Sequence, residues 1–247
     1  MKQTIVLAAL LLTSASSLQA GLELNLQAHY TFDDQDGRDY SGNSLELDLV
    51  GGISFEPGLI GYALAPNGDN SKYATRPGND ASLNFGPGDF TIQAWVNFNS
   101  LTGEQVLLEK FSGNSGPGWT LVKLASNKLV FSTDIGGVPL VVSEVQEIPL
   151  DTWHQVVIRK TTGLYELFLN NAVIASINAA ASSSTTVPLL IGRRNEVDGR
   201  DFSLEGSIDE IMIWSRSLNG QELATLYNGG EGQTIPPIFS DGFEFPE

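Results

Sequence analysis

Cysteine is absent from all 247 residues. That removes a disulfide framework, a thiolate metal site, a cysteine nucleophile and lipid attachment through an amino-terminal Cys. Histidine is nearly absent too, with His29 and His154 alone and far apart, so no two imidazoles share a metal-ligand spacing. Basic residues are scarce, 13 against 29 acidic ones, giving a formal charge of −16. A chain so acidic does not hold phosphate backbones or anionic lipid by charge, and nucleic acid is excluded as an expected partner. Beyond the first 20 residues no long apolar run occurs, so no membrane-spanning segment is expected. Stability must come from a core.

What is present begins with a leader pattern. Lys2 precedes an apolar run from Ile5 to Leu12 and small polar residues ending at Ala20. This is the layout of a secretory signal peptide over residues 1–20, with a mature chain from Gly21 and a cut after Ser17 as the alternative. The run is too short to cross a bilayer of about 30 Å as a helix. The expected location is therefore secreted or extracytoplasmic.

From there on, apolar residues recur with period two, and turns rich in Gly, Asn and Asp punctuate them about every ten residues. Phe90, Ile92, Ala94, Val96 and Phe98 share one face of a strand; Thr91, Gln93, Trp95 and Asn97 share the other, so one dry face is expected. Further strands are read over 106–111, 119–124, 128–133, 140–145, 154–160, 165–170, 172–177, 189–192 and 208–214. Asn170-Asn171 marks a tight hairpin, because Asn tolerates left-handed backbone. The near-continuous apolar character of 189–192 and 208–214 predicts burial on both faces. One helix is signalled: Asn219 with Glu222 three residues on, then Leu223, Leu226 and Tyr227, and a glycine stop at Gly229 and Gly230. Ala179 to Thr186 reads as a surface loop of low complexity. No linker divides the chain, and one large domain is expected.

Taken in order, several short motifs resemble a laminin G-like jelly roll of the concanavalin A-like kind. They are Tyr30-Thr31-Phe32-Asp33, Asp39-Tyr40-Ser41-Gly42-Asn43, Gly61-Tyr62-Ala63-Leu64, Phe90 to Trp95, Thr152-Trp153-His154, Leu169-Asn170-Asn171, Gly206-Ser207-Ile208-Asp209-Glu210 and the Trp214 to Leu218 stretch. The likeness covers about Ala28 to Gly230. It implies an all-β fold, an antiparallel two-sheet β-sandwich with one short C-terminal helix, spanning a domain over 21–232. It also implies packing roles for Trp95, Trp153 and Trp214.

Catalytic patterns are missing. A glycosidase needs two carboxyl groups a few ångströms apart, and the Glu-x-Asp-x-Glu strand of related hydrolases does not occur. Glu205, Asp209 and Glu210 come nearest, but Asp209 and Glu210 are adjacent and should face opposite sides of a strand. No Gly-x-Ser-x-Gly elbow and no phosphate-cradling loop is found. The chain is not expected to be an enzyme; a polysaccharide hydrolase or lyase is the alternative, and a structural envelope protein the third reading.

The positive chemical expectation is Ca²⁺, a hard cation taking six to eight oxygen ligands. The resemblance points to the junction of the first and last strands, where Asp33, Asp39, Asn43 and Asp209 would be the donors and the ion would be structural. The competing reading makes these residues Asx turns and hydrogen-bond acceptors. Asp33-Asp34-Gln35-Asp36-Gly37 echoes a helical-hand calcium loop but has Ser44 at the twelfth position, where a bidentate Glu is needed.

For ligand recognition, Tyr73, Trp119, Arg193, Arg194 and Arg200 are the polar and aromatic candidates on loops or strand ends. After the domain, residues 233–247 form an acidic aromatic tail. Together these features suggest a secreted, non-catalytic recognition module for carbohydrate or a surface or matrix protein, binding through loops at one sandwich edge.

Overall fold

Short β-favouring runs separated by turn residues fold into two antiparallel sheets in the computed structural model, which describes residues 21–77, 81–111, 117–133, 139–180, 185–194 and 202–238. The leader 1–20, the middle of the Ala/Ser/Thr loop (181–184), Arg200 and the chain from 239 onward lie outside the described residues.

The strands in chain order are β1 (Leu26–Tyr30), β2 (Asp48–Val50), β3 (Ser54–Pro57), β4 (Tyr62–Ala65), β5 (Tyr73–Arg76), β6 (Phe90–Phe98), β7 (Gln105–Phe111), β8 (Gly118–Lys123), β9 (Lys128–Thr133), β10 (Pro139–Val145), β11 (Trp153–Thr161), β12 (Leu164–Leu169), β13 (Ala172–Asn178), β14 (Leu189–Ile191) and β15 (Gly206–Trp214). Helix α1 covers Gly220–Tyr227. Sheet A runs β13-β12-β11-β6-β15-β4-β3, with β1 also paired to β15; sheet B runs β10-β9-β8-β7-β14-β5-β2. The expected two-sheet sandwich with one short C-terminal helix is what forms.

Between the sheets lies one core, built from inward residues of both: Phe90, Ile92, Ala94, Val96 and Phe98 from β6 meet Trp119, Leu121, Leu129 and Phe131 from sheet B. Removing this surface from water is the main driving term, about 25 cal/mol per Å² of apolar area. The β12–β13 hairpin turns where expected, with Asn170 and Asn171 both left-handed at φ 50° and 61°.

One expectation needs correction. The second face of β6 is not wet, because Thr91, Gln93 and Trp95 are as buried as the first face. A second apolar layer covers sheet A from outside: Leu22, Leu26, Met212, Trp214, Leu218, Leu223, Leu226 and Ile235 pack together there. Helix α1 supplies part of that cover, anchored by a capping box in which Asn219 Oδ1 accepts from the Glu222 amide at 3.0 Å and Glu222 Oε2 accepts from the Asn219 amide at 2.7 Å. The first residues of the expected tail join this layer. Ile235 is buried and the Ile238 amide bonds the Tyr40 carbonyl at 2.9 Å.

Candidate functional site

Two places concentrate polar chemistry. The first is the junction of the first and last strands. One edge of β15 is shared: Leu64 of β4 pairs with Ile208, whereas β1 pairs further along, from Tyr30 opposite Ile211 to Leu26 opposite Trp214. Between these partners β15 slips register against β6 from Asp209 to Met212, and Glu210 is left-handed at φ 45°. Such a bulge re-aims side chains. Strict alternation therefore fails where the sequence suggested it would separate Asp209 from Glu210.

The bulge places Asp209 and Glu210 in a dry setting, with the exposed Asp33 at its rim. Asp209 Oδ2 accepts from the Leu59 and Ile60 amides at 2.9 and 3.2 Å, and its Oδ1 accepts from the Glu210 amide at 2.7 Å. Asp33 Oδ1 accepts from the Tyr62 amide at 3.0 Å. This close approach of the β3–β4 turn requires glycine: a Cβ on Gly61, itself at φ 54°, would lie 1.9 Å from Asp33 Oδ1, and one on Gly58 2.6 Å from Asp209 Oδ2. Glu210 Oε2 meets His29 Nε2 at 3.2 Å with both side chains fully buried, while Glu210 Oε1 and His29 Nδ1 have no hydrogen-bond partner among the described residues.

Electrostatically the junction is strained. Burial first, then the Glu210 and Asp33 charges, push the Asp209 carboxyl up to about 8 against the pull of its amide donors. Burial also raises Asp33, with Glu210 and Asp34 adding to the rise.

Asp39 and Asn43 do other work. Asp39 accepts from the amides of His29, Ser41 and Leu45 at 2.9 to 3.0 Å and from the Ser41 hydroxyl at 2.8 Å. Asn43 Nδ2 donates to the carbonyls of Leu26 and Gln27 at 2.8 and 3.0 Å. They stitch the Asp39 to Asn43 turn along β1. So Asp33 and Asp209 reach the junction, Asp39 and Asn43 organise the neighbouring turn, and Glu210 with His29 joins unannounced by the sequence. Among the described residues no set of three or more His, Asp or Glu side chains converges in the manner of a metal site.

The second place is the outer face of sheet B. Ala74 of β5 enters the core, so its neighbours Tyr73 and Thr75 face outward. Across the sheet Thr75 pairs with Leu190, Leu190 with Glu109, Glu109 with Thr120 and Thr120 with Ser132, a row whose Glu109, Thr120 and Ser132 are buried beneath the segment around Phe202. Arg194 reaches this row, donating from Nε to Glu109 at 3.2 Å and from Nη2 to Glu104 at 2.6 Å, with its guanidinium 4.3 Å from the Phe202 ring centroid. Arg193 lies over Tyr73 at 4.5 Å and donates from Nε to the Arg194 carbonyl at 3.1 Å.

Trp119 is different. It is fully buried, its indole donating to the Leu83 carbonyl at 3.1 Å, so it is a core residue and offers no face to a ligand. Trp95 and Trp214 are core residues as expected, and Trp153 is partly buried. His154 is structural, bonded to the Pro149 carbonyl and the Asn170 amide.

No curated protein matches the chain in sequence. Among solved structures it is similar to domain 4 of AbnA, a GH43 extracellular arabinanase from Geobacillus stearothermophilus solved in complex with arabinotriose: TM-score 0.66, 20% identity, covering 85% of this chain and 98% of that one. It is also similar to the binding domain of Paraclostridial Mosquitocidal Protein 1, with TM-score 0.68, 21% identity and coverage of 85% and 53%. The binding domain of botulinum neurotoxin DC in complex with SialylT gives TM-score 0.66, 16% identity and coverage of 84% and 52%. The chain thus spans about half the length of the two toxin domains. At these identities the likeness is one of fold. A family model described as the concanavalin A-like lectin/glucanases superfamily matches residues 67–224. With that match over most of the sandwich just described, this chain belongs to the concanavalin A-like lectin/glucanases superfamily.

Proposed function

We propose that the chain is an exported, non-catalytic recognition module that binds carbohydrate on the outer face of sheet B. The observation that carries this reading is the Tyr73–Arg193 pair, a half-buried aromatic ring and a guanidinium held together on that face. Sugars are recognised by such combinations of flat apolar surface and oriented polar groups. Support for export is the Lys2, apolar run and Ala20 layout of the first 20 residues. Support for a non-catalytic role comes from the junction carboxyls: Asp209 and Glu210 are fully buried, so a polymer substrate does not reach them.

A structural Ca²⁺ at the junction is part of this proposal. Asp33, Asp209 and Glu210 influence one another's charge, with His29 the basic group beside them, and among the described residues the partnerless Glu210 Oε1 has a lone pair to offer, although they do not converge as a ready-made metal site. Asp39 already spends both carboxylate oxygens on the turn, and Asn43 its side-chain nitrogen, so the remaining ligands would be the Asn43 Oδ1 and backbone carbonyls. The ion would neutralise the buried charge and tie β1, the β3–β4 turn and β15 together.

The test is binding of the full chain to a broad glycan array, with calcium and with chelator, alongside an assay for released reducing or unsaturated ends. Binding without release is the expected result. Release would overturn the non-catalytic reading, and no binding in either condition would overturn carbohydrate recognition and leave a surface or matrix protein as the partner to seek.

A further inference from the structure

We infer that Arg193, laid against Tyr73, is an anion-recognition point that takes the carboxylate of a uronic-acid unit in an acidic glycan; this deepens, and rests on, the carbohydrate reading above. In a chain with 29 acidic residues, cations are expected to be consumed by carboxylates. Most of the described ones are. Arg38, Lys72, Lys128, Arg159, Arg194 and Arg216 each pair with Asp or Glu. Lys110, Lys123 and Lys160 donate instead to loop carbonyls, and Arg76 to the Glu46 carbonyl. Arg193 alone among the described arginines and lysines has neither use for its two Nη groups.

Its geometry is fixed in advance. The Nε bond to the Arg194 carbonyl and the contact with Tyr73 hold both the position and the plane of the guanidinium. A planar fork with two free N–H-bearing nitrogens matches a carboxylate bidentately, and a fork already ordered loses little entropy on binding. The neighbouring Arg194 is neutralised by Glu104 and Glu109, so the anion site is a single point and not a basic patch. At formal charge −16 the long-range field opposes a polyanion. Recognition therefore rests on short contacts, and moderate salt should weaken it little.

The experiment is calorimetric titration of the full chain with trimers of galacturonate, mannuronate and guluronate, each beside its carboxyl-reduced counterpart. At least one acidic trimer should bind more tightly than its reduced form. Arg193→Gln should weaken that trimer by about ten- to a hundredfold, the usual worth of a hydrogen bond to a charged group, and bring acid and reduced forms level. Arg193→Lys should recover only part, since charge returns without the fork. Equal binding of acid and reduced forms by the unaltered chain, a comparison independent of any variant's folding, would overturn the assignment and leave carbohydrate recognition standing. So would binding of neutral glycans on the array with no acidic trimer bound. Silence of both trimers and array would overturn this inference together with the reading beneath it.

Discussion

Glu210 and His29 meet at 3.2 Å across the seam between the last and first strands, both side chains wholly out of water. The contact spans nearly the whole domain in sequence, and it stands where β15 breaks register to serve two partners on one edge. Removing one member strands the other, the expensive case for buried polar pairs, at about 3–5 kcal/mol when the pair is charged. His29→Ala and Glu210→Ala should therefore each lower the urea midpoint markedly. The double variant should lose less than the sum of the two; strict additivity would show that the pair does not couple.

Asp209 sets a pH dependence whose sign follows from its shift. Its carboxyl titrates near 8 in the folded chain and near 3.8 in the unfolded one. The folded state therefore binds more protons between these values, and stability falls as pH rises through that window. Glu210 and Asp33 are the charges that face it, with the Ile60 and Glu210 amides opposing them. Without divalent ions, thermal melting should drop from pH 5 to pH 8.5, and Asp209→Asn should flatten the slope. If calcium binds at the junction, its stabilising effect should be greatest at the alkaline end, where the ion no longer competes with the proton. A calcium effect independent of pH and unchanged in Asp209→Asn would place any ion elsewhere.

Much of this was readable from residue order, and the failures are instructive. Asn219 with Glu222, and Asn170-Asn171, dictate local hydrogen bonds and backbone signs, so the cap and the hairpin fall where the sequence puts them. β2 to β5 are only three or four residues long and carry too few alternations for periodicity to register. The wet face expected for β6 failed because α1, Leu22 and Ile235 come from distant parts of the chain to cover it. Alternation alone would turn Glu210 to the face away from Asp209, but a bulge is a tertiary event that no dipeptide announces. Tyr73 and Arg193 could be named as types, but only the packing of β14 beside β5 brings them together.

Trp95 and Tyr227 offer an optical check on the outer layer. Their rings stack with centroids 5.8 Å apart and planes 4° from parallel, pinning the end of α1 to the middle of β6. Such a pair contributes about 0.5–1.5 kcal/mol beyond burial. Tyr227→Ala should red-shift tryptophan emission and lower the melting temperature by several degrees, at roughly 2–4 °C per kcal/mol for a chain of this size. Tyr227→Phe should preserve both signals; loss in that variant would show that the hydroxyl, not the stack, matters.

The acid limb of stability should be governed in part by Glu222. Burial alone would raise its carboxyl, but the Arg216 guanidinium and the Asn219 amide outweigh that and hold it below the ordinary range. Arg216 grips it at 2.8 and 3.1 Å while also donating to the carbonyls of Gly21 and Leu24 at 2.6 and 2.7 Å. One carboxylate thus holds the helix cap and the chain's first described residues against β15. Since the folded value is depressed, the stabilisation is present above the unfolded value of 4.5 and is lost as pH falls through the folded one. Below pH 4, hydrogen exchange should quicken in residues 21–25 and 219–227 before it does in β6 or β11, whose bonds depend on no carboxylate of this cluster. Glu222→Gln should produce the same local exposure at neutral pH. Simultaneous exchange across α1 and β6 in that variant would mean that the outer layer unfolds only with the sandwich itself.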